Sequence, residues 1–254
     1  METKLHPVKT TGPLAGFGTM LKIEGSRWLS PKTILIQSIV WSFATQFAVI
    51  MVLIIIPATD ASAALSVSLD MAIQIFIGVF SQVVAIGVII VMQSALVGEK
   101  QSGTAAWILT NPVTRVSFIL SKLAANTLGI MFMTIILQGA IGFGILSYSL
   151  GYTLPIGAFL VSMGLQTLHM LFYITLSLAL GSFFNSRGPI LGIGIGFIMM
   201  QDFIGGLVGS YFPWFPSVLP SMLNTYSQLV NLGQPIPSIV PIISVVVCTL
   251  VFTG

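Results

Sequence analysis

Charge is scarce in this sequence. Asp, Glu, Lys and Arg together make up 6% of 254 residues, against roughly a quarter in a soluble domain. A chain so poor in charge cannot cover a surface of its own for water. Cysteine is almost missing as well, and Cys248 alone excludes a disulfide framework and cysteine-spaced metal ligands. The two histidines, His6 and His169, give no paired metal-binding spacing. Asp202 has no second acid near it in the sequence for paired acid–base chemistry. The net charge of +3 is too small to argue for nucleic acid.

What the chain does have is apolar length. Hydrophobic residues account for 56% of positions, and mean hydropathy is +1.04. In a bilayer that surface faces lipid, so the fold class is all-α, a polytopic membrane protein. A crossing helix needs about 20 apolar residues, because the hydrocarbon is about 30 Å thick and each residue rises about 1.5 Å. Residues 34–56, 71–97, 118–148 and 155–180 meet that length, and 190–208 follows as a glycine-rich fifth segment. A sixth runs over 239–254 and is still apolar at Gly254, where a short charged tail is expected. Residues 1–33 then read as a tail with an interfacial helix, and 34–254 as one six-helix membrane domain. Met1 to Ser30 lacks an apolar core followed by a small-residue cleavage site, so the first span is expected to serve as insertion signal.

Numbering the loops in order and letting alternate loops share a side gives a clean partition. One side collects Lys4, Lys9, Lys22, Arg27, Lys32, Lys100, Arg115, Lys122 and Arg187, which is every basic residue. The other holds Asp60, Asp70, a neutral turn at Gly151 and an uncharged stretch from Ser210 to Ser238. Basic residues gather on the cytoplasmic side, so both termini are expected there. The expected location is a prokaryotic cytoplasmic membrane, crossed several times.

Two further segments are expected to lie at the interfaces. Leu14 to Leu29 mixes Leu14, Phe17, Leu21 and Trp28 with Lys22, Glu24 and Arg27, which suits a helix in the cytoplasmic interface. Its glycines, at positions 12, 16, 18 and 25, leave a disordered tail as the alternative. Between Pro220 and Gln234, residues 221–232 fit a short helix resting on the outer membrane face.

Gly98 to Thr104 has the glycine spacing of a phosphate-binding loop, but Thr104 stands where that motif needs lysine and no strand precedes it. Its better reading is mechanical. Gly103-Thr104 offers a helix start, with Thr104 as cap; Asn111-Pro112 ends that helix; Thr114 begins the next span, with Arg115 and Lys122 at the headgroups.

Glu99, then Gly103-Thr104, Leu109, Pro112, Arg115 and Lys122, resembles the cytoplasmic loop of type-2 ABC transporter permeases. The resemblance extends to the layout of an N-terminal interfacial helix, six spans and a long outer segment before the last. It implies a permease subunit of an ATP-driven exporter, paired with a second permease subunit. A separate ATPase subunit would hold the ATP and magnesium, while this chain itself binds no cofactor and is no enzyme. The short loop helix is similar to a coupling helix that docks on the ATPase. Glu99, Gly103 and Thr104 would shape the elbow, and Trp107 and Leu109, by size and position, would touch the ATPase. An ion-coupled secondary transporter is the rival, disfavoured by the lack of an internal repeat; a non-transporting anchor subunit is another.

Gly188, Gly192 and Gly196 recur every four residues, a small-residue stripe that admits a close helix either from this chain or from a second copy. Gly205 and Gly209 repeat the spacing. His169 and Asp202 lie at matching distances from the turn near Asn185, so they are expected to pair between the fourth and fifth spans, to leave Asp202 at the outer interface, or to serve a proton or substrate path. The partition of basic residues generates a topology test. Single cysteines at Ser102 and Ser186, in a Cys248→Ser background, should resist a membrane-impermeant thiol reagent on intact cells, whereas one at Ser221 should react. Labelling at 102 without labelling at 221 reverses the topology.

Overall fold

The computed structural model describes residues 12–59, 67–104, 110 and 113–253, and every regular element among them is helical. In chain order these are α1 (Phe17–Trp28), α2 (Pro31–Thr59), α3 (Leu69–Met92), α4 (Val97–Gln101), α5 (Arg115–Leu150), α6 (Ile156–Phe183), α7 (Arg187–Gly209), α8 (Met222–Asn231) and α9 (Val240–Thr253). A 3₁₀ turn at Phe215–Val218 precedes α8. Among the described residues, five helices are long and apolar enough to cross a membrane: α2, α3 continued by α4, α5, α6 and α7. The sixth expected span is the apolar α9, whose 14 residues rise about 21 Å, less than the full hydrocarbon thickness.

Local chemistry sets the boundaries. Pro31 occupies the first turn of α2, where its missing N–H costs nothing. Ser68 caps α3, accepting from the Met71 N–H at 3.2 Å, and Thr114 caps α5, accepting from the Ser117 N–H at 3.1 Å. Gly151, with φ of 74°, ends α5 in the left-handed region and turns the chain toward α6. Within α2 and α5, Met51–Ile55 and Met131–Ile136 wind as π-helix, a rare local widening.

α3 and α6 form the centre. Phe76, Ile77, Phe80 and Val88 of α3 and Met170, Tyr173 and Ile174 of α6 are fully shielded. α2 and α7 lie at the periphery and leave Phe43, Phe47, Phe203 and Leu207 exposed, as faces toward lipid or another chain would be. Helices close up where glycine removes the side chain. Gly87 of α3 carries the ring of Trp41 from α2, Gly142 of α5 carries Phe76 of α3, and Gly129 of α5 carries Trp28 of α1. Amide side chains supplement these contacts: Gln46 of α2 donates to the Gln138 carbonyl of α5 at 3.0 Å.

Two short helices pack against the spans. α1 is helical, as expected, and packs along the start of α5, burying Met20 and Glu24. The Thr114 hydroxyl donates to the Pro13 carbonyl at 2.6 Å and the Thr114 N–H to that of Ala15 at 3.2 Å, pinning the entry to α1. α8 is wedged against α6 and α3 and shields Leu223, Tyr226 and Ser227. Gln166 of α6 donates to Asn224 at 3.2 Å and to Ser227 at 3.0 Å. Its polar side chains therefore find their partners inside the bundle, which composition alone does not reveal.

Gly142 generates a stability test. A Cβ at Gly142 lands on the Phe76 ring, whereas one at Gly144 meets nothing within 4 Å. Gly142→Val should lower stability by about 1–3 kcal/mol, the usual cost of overpacking, with Gly144→Val near neutral. Thermal midpoints of the purified variants check this, and equal midpoints contradict the packing.

Candidate functional site at the elbow between two spans

The strongest concentration of charge lies where α1, α4 and the start of α5 meet. Lys122, on the second turn of α5, is fully buried. Its ammonium donates to Glu24 Oε1 of α1 at 2.7 Å and to Glu99 Oε1 of α4 at 2.6 Å. The Phe118 ring lies 5.2 Å away on its other side, a cation–π contact. Arg27 reaches the second Glu24 oxygen at 3.3 Å from an exposed position. The second Glu99 oxygen, Oε2, is buried and has no hydrogen-bond partner among the described residues. Beside the triad, the Trp28 indole N–H donates to Asn126 Oδ1 at 3.2 Å, and the Asn126 amide donates back to the Lys122 carbonyl at 2.8 Å.

The neighbouring residues of α4 reach the opposite way. Lys100 donates to the carbonyls of Gly181 and Ser182 at 2.8 and 2.7 Å, satisfying the last turn of α6 with charge of the sign that a helix C-terminus favours. Gln101 donates to the Asn185 carbonyl at 2.9 Å. Three consecutive residues thus tie α4 to α1, α5 and α6. Gly103 follows with φ of 72°, which lets the chain leave α4 in a new direction. The Thr104 hydroxyl meets that of Ser102 at 2.7 Å. Trp107, Leu109, Asn111 and Pro112 lie outside the described residues.

Lys122 therefore does not reach outward, as a snorkelling anchor would, but is buried against two carboxylates. Asp202 and His169 are not brought together. Asp202 is exposed, and neither ring nitrogen of buried His169 has a hydrogen-bond partner among the described residues. The inward residue of that turn is Gln201, which donates to the Tyr173 hydroxyl at 3.1 Å, and Tyr173 meets the His169 ring edge-on at 5.0 Å. One residue is about 100° of helix, enough to point Asp202 away. Gly188, Gly192 and Gly196 also face outward, with nothing within 4 Å of a Cβ built there. Gly194 is the glycine that admits a neighbour, Ile89 of α3 at 2.7 Å, while Gly205 and Gly209 receive Leu219 and Pro216. Glu24 and Asn126 were not singled out from sequence. The available signal was that Glu2, Glu24 and Glu99 are the only acids on the basic side.

The triad generates a stability test. Lys122→Met leaves two buried carboxylates without their cation and should cost about 3–5 kcal/mol, whereas Glu24→Gln/Lys122→Met/Glu99→Gln together should cost less, because no unpaired charge remains. Unfolding of the purified proteins in detergent measures both, and a triple variant worse than Lys122→Met contradicts the pairing.

Comparison with known proteins agrees with this architecture. Residues 72–253 match the model of the ABC-2 family transporter protein. The chain is also 28% identical over 151 residues to the uncharacterized transmembrane protein YxlG of Bacillus subtilis (strain 168), an alignment covering 57% of this chain and 56% of that relative. The family match takes in most of the sequence, from the central span α3 through α9, and includes α4 and the start of α5 at the elbow but not α1. The chain is a multi-pass membrane protein belonging to the ABC-2 transporter family.

Proposed function

We propose that this chain is the permease subunit of an ATP-driven exporter, working as a dimer and powered by a separate ATPase subunit that binds the ATP and magnesium. The observation that carries the reading is the three-way attachment of α4. Glu99 is tied to Lys122 of α5, and through it to α1, while Lys100 and Gln101 hold the end of α6. A push delivered to residues 102–112 by a closing ATPase reaches three helices at once through short, charged contacts. Gly103 and Thr104 form the bend through which it arrives, and Trp107 and Leu109 are the side chains that meet the ATPase groove. The family membership supports the same division of labour. In this reading residues 1–33 form the cytoplasmic tail and the helix that braces the elbow, and residues 34–254 form the permease domain. Both termini lie in the cytoplasm of a prokaryotic cell, and the membrane is the inner one.

The second permease subunit has a natural place on the peripheral helices. α2 and α7 expose Phe43, Phe47, Phe203 and Leu207. The outward stripe of Gly188, Gly192 and Gly196 has no neighbour among the described residues, and its spacing lets a helix of another subunit approach closely.

Coupling is tested at Trp107. An aromatic anchor buried in a partner groove commonly contributes about 2 kcal/mol or more, so Trp107→Ala should reduce co-purification of the ATPase subunit roughly thirtyfold in apparent affinity. The permease should keep its thermal midpoint. Full association with normal stimulated ATP hydrolysis in this variant removes Trp107 from the interface; loss of thermal stability with association intact makes it a membrane anchor instead.

A further inference from the structure

Two cavities flank Trp28. The first, of about 410 Å³, is bordered by Glu24, Arg27, Trp28, Gln37, Glu99 and Asn126. The second, of about 270 Å³, is apolar and is bordered by Leu21, Trp28, Ile34, Leu128, Phe132 and Met133. The Trp28 indole stands between them, held by Gly129 beneath its ring and by Asn126 on its N–H. A polar chamber and an apolar chamber that share one wall match an amphipathic ligand lying across that wall.

The charges of the polar chamber narrow the headgroup. Both Glu24 oxygens are occupied, by Lys122 and by Arg27. Glu99 gives one oxygen to Lys122; its other oxygen is nine-tenths buried with the rest of the residue and lacks a donor among the described residues. A buried carboxylate oxygen without a donor is costly, and an ammonium N–H from a ligand would satisfy it with a charge-assisted bond. Arg27 uses one guanidinium nitrogen on Glu24, and its side chain is 65% exposed, which leaves donors in a fork suited to phosphate. An acceptor for an amine and a donor for a phosphate on one chamber is the pattern of a zwitterion. A choline headgroup has no N–H to give Glu99, and a glycerol headgroup has no cation.

We propose that this site binds a phospholipid with a primary-amine headgroup, phosphatidylethanolamine, with its ammonium on Glu99, its phosphate on Arg27 and one acyl chain passing Trp28 into the apolar cavity. The bound lipid would join α1 to the spans at the same elbow that carries the ion triad. The site draws on the membrane setting of the fold and not on ATPase coupling, so binding is read without transport.

The experiment titrates the purified full chain in detergent with palmitoyl-oleoyl phosphatidylethanolamine, phosphatidylcholine and phosphatidylglycerol, and counts retained lipid by native mass spectrometry. One ethanolamine lipid should be retained with a preference of at least roughly fivefold, near the effect of one good polar contact. Arg27→Ala and Glu99→Gln should each lower that retention by a similar factor. Arg27 is exposed, so its variant keeps the fold and decides the matter if Glu99→Gln does not fold. Equal retention of the choline lipid overturns the amine assignment, and unchanged retention in Arg27→Ala overturns the site. Displacement by free phosphoethanolamine at lipid-like concentrations makes it a site for a soluble headgroup and overturns the lipid.

Discussion

A lysine ammonium placed between three helices needs its counter-charge buried with it. Desolvating an isolated cation costs several kcal/mol, and at Lys122 this is offset by two carboxylates arriving from different parts of the chain, Glu24 before the first span and Glu99 after the second. The pairing is therefore a statement about topology. It holds only when α1 has folded back onto α5 and α4 has closed the end of α3, so the charges define where those three elements meet. Once α4 is fixed by Glu99, Lys100 and Gln101 fall within reach of the end of α6. The elbow is thus specified by polar geometry, whereas the rest of the bundle is specified by shape.

Shape matters elsewhere because lipid tails are as apolar as leucine, and burying an apolar side chain gains little in a bilayer. Close contact has to supply the preference. The chain obtains it by setting an aromatic ring on a glycine three times: Trp41 on Gly87, Phe76 on Gly142 and Trp28 on Gly129. In each case the ring and the glycine come from different helices, so each contact fixes a pair of elements. The peripheral helices lack such contacts on their outer faces, which remain apolar and open to lipid or to a second subunit.

Much of the architecture was legible in composition. Apolar length marks the spans, and the helices Pro31–Thr59 and Ile156–Phe183 contain or nearly contain the expected 34–56 and 155–180. The Thr114 start of α5 was also readable, because its hydroxyl lies three residues before the N–H it accepts from. The partners of charges were not. Lys122 and Glu24 are 98 positions apart, and no local pattern announces that distance; a lone lysine near a span end reads as a headgroup anchor until its acid is found. Asp202 shows the converse case. Equal depth along two helices says nothing about rotation, and Gln201, one residue earlier, is the side chain that faces α6. The glycine stripe turns on rotation in the same way: Gly194, between Gly192 and Gly196, is the one against α3, so of the two expected partners for the stripe the second copy is the one left open.

Rotation also gives meaning to the π-helical stretch Met131–Ile136 of α5. Before it, Lys122 and Asn126 face α1 and the elbow; after it, Gln138 faces α2 and Gly142 faces α3. A π-helical widening amounts to one extra residue in an α-helix, and removing it turns everything beyond by about 100°. The six residues therefore act as a phase-setter: one continuous rod addresses two sets of neighbours that an unbroken helix would present at a different angle. The length of this stretch, more than the identity of its side chains, is what the two ends of the helix hold in common.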